Sequence, residues 1–240
     1  VGAVVHRLLT QPALRARTLA QLAALAADPA YAGLNLDLEN DGAADRPALS
    51  LFVAALAARL HAEQRRLAVD VVGVTHESTP RPAAGFYNYR ALSANADTVF
   101  VMAWGVHWAS SAPGPIAPLA YVRGVARYVA SLPYARRFVL GVPMYGLDWP
   151  LPGGRPGRAV ALQYTGVLAL ASSVGATPAR APVSGEMTFA YTRAGVPHRV
   201  WYLDAHAILA RIALARDYGL PAGVWRLGEE DQALWSSPLA

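Results

Sequence analysis

The chain has no cysteine, and none of its 21 basic residues is lysine. The missing cysteine excludes disulfides, thiolate catalysis and cysteine-based zinc sites, although it leaves the compartment open. The missing lysine makes every basic residue an arginine, and alanine occurs 49 times in 240 residues. That pairing is the mark of GC-rich codon usage. Charged residues are sparse at 15%, and the net charge is only +5. No basic run exceeds the pairs Arg65-Arg66 and Arg136-Arg137, and no basic-aromatic alternation occurs. A nucleic-acid partner is therefore not expected. The excess of positive charge would suit an anionic polymer. No run of 18 apolar residues is present, so no membrane span is expected. No basic start with an apolar core and cleavage site opens the chain. His6, His61, His76, His107, His198 and His206 show no close ligand spacing, so no metal is expected.

What is present is apolar and alternating. Hydrophobic residues make up 54%, ample for a core. Leu8 to Ala27 has helical spacing. Asp45-Arg46-Pro47 resembles a capped helix start, opening a helix to about Gln64. Strands are expected at Gly33–Glu39, Leu67–Val74, Asp97–Ala103, Phe138–Val142 and Ala222–Trp225. Helices are expected at Pro118–Leu132, at Ala159–Ser173, and from an Asp204 cap to about Tyr218, with Gly219 following. Glu186–Tyr191 and Arg199–Leu203 read as a hairpin. Strands and helices joined by long connections imply an α/β fold with a parallel sheet.

The most informative stretch is Tyr31-Ala-Gly-Leu-Asn-Leu-Asp-Leu-Glu-Asn40. On a strand, Leu34, Leu36 and Leu38 share one face, and Gly33, Asn35, Asp37 and Glu39 share the other. Strands of parallel sheets are normally apolar on both faces. Three polar residues on one face must be hydrogen-bonded or solvated in a cleft. Carboxylates this close raise each other's pKa, which can keep one protonated as an acid beside an ionised neighbour. Asp37, Glu39 and Asp41 also crowd into five positions of a chain with only 16 acidic residues. The alternative is an edge strand with a solvated face.

This segment resembles the signature strand of glycoside hydrolase family 18, Asp-Gly-x-Asp-x-Asp-x-Glu, which falls on Ala32 to Glu39. The similarity continues in order. Phe86-Tyr-Asn-Tyr-Arg-Ala-Leu92 resembles the stretch before the sixth strand of the family's barrel. Val101-Met-Ala-Trp104 resembles that strand's Met-x-Tyr motif. Pro113 to Pro118 resembles a Gly-Pro-x-Ala-Pro loop. Leu140 to Gly146 resembles the seventh-strand motif, and Val200-Trp-Tyr202 and Trp225 to Asp231 resemble the closing motifs. The branch it most resembles is the bacterial peptidoglycan and spore-cortex N-acetylglucosaminidase-like group, where asparagine at the position of Asn35 is usual.

The resemblance implies a (β/α)8 TIM-barrel type. Only five of its strands are counted, so it would lack the first three, with Val1–Val5 as a conceivable remnant of the third. Residues 1–240 would be one partial catalytic domain. Residues 151–203 would be a small α+β insertion before the last helix. The resemblance implies a retaining, substrate-assisted glycosidase with no cofactor, acting on polysaccharide with N-acetylated sugars. Its location would be extracellular, at the cell wall or spore. Glu39 would be the acid and base, Asp37 would orient the acetamido group, and Asn35 would hold Asp37. Trp225 would be the sugar platform, with Tyr145, Trp104 and Met102 lining the pocket. Trp108, Trp149 and Trp201 could be further platforms or packing, and His107 is expected to be structural. Trp104 and Gly105 stand where the family has tyrosine and aspartate, which keeps open a weakly active or lectin-like relative.

Overall fold

The computed structural model describes residues 2–39, 42–77 and 85–236. Asp41 lies outside them, as does Val1. In chain order the elements are α1 (Gly2–Thr10), α2 (Pro12–Ala26), β1 (Gly33–Leu36), α3 (Arg46–Ala62), β2 (Arg66–Val72), α4 (Tyr89–Asn95), β3 (Thr98–Met102), α5 (Leu119–Ala130) and β4 (Phe138–Pro143). There follow β5 (Gly146–Pro150), β6 (Val160–Leu162), α6 (Tyr164–Ser173), β7 (Ala179–Arg180), β8 (Met187–Arg193), β9 (Val196–Tyr202), α7 (Ala205–Asp217), β10 (Ala222–Trp225) and α8 (Ala233–Ser236).

The chain divides into two compact units. The first comprises Val1–Met102, Arg127–Val139 and Gly219–Pro221. In it β2 pairs in parallel with β1 on one side and β3 on the other. Leu67, Val69 and Val71 of β2, with Val99 and Val101 of β3, are fully or almost fully buried. Helix α3 turns one face inward through Leu49, Phe52, Val53, Leu56 and Leu60, the helical spacing of an amphipathic stripe.

Gly33 stands opposite Arg66. A Cβ at Gly33 would lie 1.9 Å from the Arg66 carbonyl oxygen, so only glycine allows this approach.

The second unit comprises Ala103–Ala126, Leu140–Tyr218 and Ala222–Ala240. Here β4 pairs in parallel with β10. A separate antiparallel sheet runs β6-β5-β9-β8-β7. The β8–β9 hairpin turns at Ala194 and Gly195, both at positive φ, as a two-residue primed turn requires. Trp149, Met144, Val142, Leu147, Leu203 and Ile208 form one buried cluster, and Val167, Phe189, Tyr191, Val200 and Tyr202 another.

Five strands thus carry parallel pairings among the described residues. They are the five read from the sequence.

Several boundaries differ from the sequence reading. Gly2–Thr10 is helical, so the part of Val1–Val5 that is described, residues 2–5, is not a strand remnant. Leu8–Ala27 is broken at Gln11, because Pro12 has no N–H and starts a new helix. Asp45 precedes α3 but makes no side-chain cap; its carboxylate meets His6 Nδ1 at 2.8 Å. Ala159–Ser173 splits into β6 and α6, because Val160–Leu162 pairs with β5. The strand expected at Phe138–Val142 runs on through Pro143, and β5 follows from Gly146 where no strand is expected. Asp204 does cap α7, accepting from the Ala207 amide at 2.9 Å.

Candidate active site

In the first unit, β1 ends at Leu36, earlier than the alternation suggested. Asp37, Leu38 and Glu39 continue beyond the last ladder partner, at the carboxyl end of the strand. Leu36 is buried, whereas Asn35, Asp37 and Glu39 are exposed, as the two-face reading requires. The segment is anchored from the Phe86–Leu92 stretch. The Tyr87 hydroxyl donates to the Leu38 carbonyl at 3.1 Å, between the two acidic residues. Next along that stretch, Asn88 caps α4 by accepting from the Ala91 amide, and the Tyr89 hydroxyl donates to the Val72 carbonyl at the end of β2.

A fourth polar group joins these three. Asp70, in the middle of β2, is buried, and its Oδ2 accepts from Asn35 Nδ2 at 3.0 Å. Its Oδ1 is buried without a hydrogen-bond partner. Burial pushes the Asp70 carboxyl up to about 6; the Asn35 hydrogen bond opposes this, and the Asp37 and Glu39 charges reinforce it. Asp37 is also raised, by desolvation. Sequence reasoning passed over Asp70 inside Leu67–Val74. The signal was there: a carboxylate in the middle of an apolar parallel strand needs an explanation.

In the second unit, Trp225 ends β10 opposite Pro143, and its carbonyl accepts from the Met144 amide at 2.7 Å. Its backbone is thus fixed while its side chain is 48% exposed. The Trp225–Arg226 peptide is cis. The segment after it is tied down by Glu230, which accepts from the Gly228 amide at 2.6 Å and from Trp235 Nε1 at 3.0 Å. Tyr145 lies in the two-residue link between β4 and β5, after Met144, and is half-buried. Burial, reinforced by the charges of Glu186 and Glu229, raises its hydroxyl pKa far above the ordinary value, so it stays a proton donor. Trp104 packs against the same apolar cluster as Tyr145. Met102 closes β3, opposite Val72 in the first unit.

Trp149 is fully buried, with its indole N–H on the Trp108 carbonyl at 3.3 Å, so it is packing rather than a platform. Trp201 is half-buried against the same cluster, and Trp108 is exposed. His107 is held within its own loop by the Ala112 carbonyl at 2.9 Å. The Pro113–Pro118 loop is fixed by a wholly buried ion pair. Glu186 accepts from the Ile116 and Ala117 amides at 2.8 and 2.7 Å, and Arg211 meets Glu186 at 3.2 Å. Neither residue was singled out from sequence, since nothing local marks them as partners. Among the described residues no group of three histidine or acidic side chains could hold a metal ion, and no helix is long and apolar enough to cross a membrane.

These arrangements define a class, an α/β protein with ionisable and aromatic side chains at the carboxyl ends of parallel strands, where such folds carry their chemistry. The family model for glycosyl hydrolases family 18 matches residues 6–229, and the chain belongs to that family. YdhD of Bacillus subtilis (strain 168), provisionally named a sporulation-specific glycosylase, is 30% identical over 227 residues, covering 93% of this chain and 53% of its own. The cortical fragment-lytic enzyme of the same organism is 28% identical over 229 residues, covering 92% of this chain and 52% of its own. The crystal structure of a chitinase from Chromobacterium violaceum superposes with a TM-score of 0.86 at 31% identity, covering 97% of this chain and 72% of that one. The chain spans about half the length of the first two relatives.

Proposed function

We propose that the chain is a glycosidase that cleaves N-acetylglucosamine-containing glycan by a retaining, substrate-assisted mechanism on a TIM-barrel-type scaffold. The observation that carries this is the group of Asn35, Asp37 and Glu39 at the carboxyl end of β1 with Asp70 on the neighbouring β2, in a chain of family 18. The family is among those in which the substrate's own acetamido group replaces the enzyme nucleophile. Glu39 protonates the glycosidic oxygen as the C1–O bond breaks. The acetamido carbonyl oxygen bonds to C1, giving an oxazolinium ion. Asp37 accepts from the acetamido N–H and stabilises the positive charge. Glu39, now ionised, takes a proton from water as the water opens the ring at C1. The configuration is retained because C1 is attacked twice.

Trp225 offers an exposed aromatic face on a fixed backbone, which suits stacking on a sugar ring. Tyr145 stays protonated and so keeps an O–H that a sugar could accept from. The relatives named for sporulation and cortex lysis support peptidoglycan of the wall or spore cortex as substrate, and a wall or spore location. One observation favours a binding-only reading. Gly105 stands where the family motif has a carboxylate, and among the described residues no atom beyond its chain neighbours lies within 4 Å of where its Cβ would be.

The test compares the chain with Glu39→Gln on peptidoglycan and chitooligosaccharides. Loss of about 10²–10⁴-fold in reducing-end release is expected. Equal release by both removes the acid role, and binding without release by either establishes the lectin-like reading.

A further inference from the structure

The Asn35–Asp70 contact joins two strands and ties a buried acid to the catalytic segment. Asp70 sits on β2 in the register that continues from Asn35↔Ala68, so it flanks the position of Asp37. Its Oδ2 takes the Asn35 Nδ2 hydrogen at 3.0 Å, and its Oδ1 has no partner. An amide has one donating end and one accepting end. With Nδ2 on Asp70, the Oδ1 end of Asn35 is turned away from Asp70. Asn35 and Asp37 are two residues apart and both are exposed where Leu36 is buried, so the other end of the amide lies on the face that Asp37 shares.

We propose that Asp70 is a positioning residue whose charge decides which end of the Asn35 amide is presented to Asp37. This deepens the glycosidase reading above and rests on it for its catalytic meaning. An ionised Asp70 only accepts, so it demands the N–H end of Asn35. Asp37 then meets an amide oxygen, which favours its protonated form. A protonated Asp70 can donate its O–H to the amide oxygen. Asn35 can then turn its N–H end to Asp37, which favours the carboxylate that the oxazolinium step needs. One proton is thereby shared between Asp70 and Asp37 through the amide, and the two titrate as a pair.

The electrostatic surroundings fit such a pair. Asp37 and Glu39, on the segment continuing β1, push the Asp70 pKa up, and Asn35 lowers it. On the other side β3 sets Phe100 opposite Asp70, and its same-face neighbours Thr98 and Met102 carry no charge. Among the described residues no cation of α3, β1 or β3 contributes to the shift. Asp70 therefore has no ion-pair partner that would hold it permanently charged. Burial pushes its carboxyl up to about 6, within a range where a glycosidase can work.

The experiment is NMR of the substrate-free chain between pH 4 and 8, following the Asn35 side-chain amide and the Asp37 and Asp70 carboxyl carbons. In the wild type the Asn35 amide signals should move with a midpoint near 6. In Asp70→Asn that transition should vanish, and the Asp37 midpoint should move by on the order of one pH unit. Asn35→Ala should raise the Asp70 midpoint, because it removes the hydrogen bond that lowers it. Asp70→Ser is run beside Asp70→Asn, and if neither folds the wild-type titration decides alone. Amide signals that stay flat in the wild type overturn the proposal, as does an Asp37 midpoint unchanged in Asp70→Asn. With chitooligosaccharide, the pH profile of kcat should change shape in Asp70→Asn while KM stays constant. A wild-type chain that cleaves nothing defeats the glycosidase reading, and the amide titration then decides the Asp70–Asn35–Asp37 coupling on its own.

Discussion

Two buried carboxylates, one in each unit, show opposite treatments of the same problem. Glu186 is completely buried, yet both its oxygens accept from backbone amides and Arg211 stands beside it. Arg211 in turn donates to the Ala117, Ser184 and Ala207 carbonyls. Asp70 is also buried, but it has one amide donor, two acidic neighbours and an orphan oxygen. Burial raises both groups to about 6, against lowering contributions from Arg211 and two backbone amides at Glu186, and from Asn35 alone at Asp70. A buried charge whose hydrogen bonds are complete holds a loop in place. One left incomplete stores an imbalance that chemistry can use.

The largest expected effect breaks the complete half. Arg211→Met leaves Glu186 buried without its cation, and loss of one partner of such a pair costs about 3–5 kcal/mol. Urea unfolding should show that loss. A change below about 1 kcal/mol would mean that the two backbone amides alone satisfy Glu186.

The incomplete half should respond with the opposite sign. The folded-state pKa of Asp70 is raised from 3.8 to about 6, so between those values the folded chain keeps a proton that the unfolded chain has lost. Stability contributed by Asp70 therefore falls as pH rises through that window and stays low above it. Asp70→Asn removes the penalty. It should be more stable than the wild type at pH 8 by at most about 3 kcal/mol, the energy of the shift, with the gain disappearing below pH 4. Thermal unfolding across pH 4–8 reads this directly. A variant less stable than wild type at pH 8 would show that Asp70 stabilises the fold as Glu186 does.

The contrast also explains what the sequence could disclose. The Gly33–Glu39 segment was legible because alternation and a crowd of acids are local signals. The five parallel strands were legible because Val- and Leu-rich runs are bounded by long connections. Asp70 was hidden because its meaning lies in Asn35, a residue 35 positions away that lies on the neighbouring strand. Glu186 and Arg211 were hidden for the same reason, being 25 residues apart in sequence. Tyr87 was noticed as part of a motif, but its role in gripping Leu38 needed the structure. β5 was missed because Pro143 reads as a terminator, whereas the chain resumes as an antiparallel strand within three residues.

The smallest expected effect on stability tests whether the comparison extends to the tryptophans of the second unit. Trp149 is fully buried and packed, whereas Trp225 is 48% exposed at the end of β10. The β10 backbone holds its position through the Leu140–Pro143 pairing and the Met144 amide. Trp225→Ala should therefore change unfolding free energy by no more than about 0.5 kcal/mol, as at other surface positions. If the ring is a sugar platform, the same variant should weaken chitooligosaccharide binding by on the order of tenfold, about 1.4 kcal/mol. Calorimetric titration of Trp225→Ala in the Glu39→Gln background separates binding from turnover. Binding that survives unchanged would return Trp225 to the role of Trp149, a packing residue that happens to reach solvent. A loss of stability with no loss of binding would do the same.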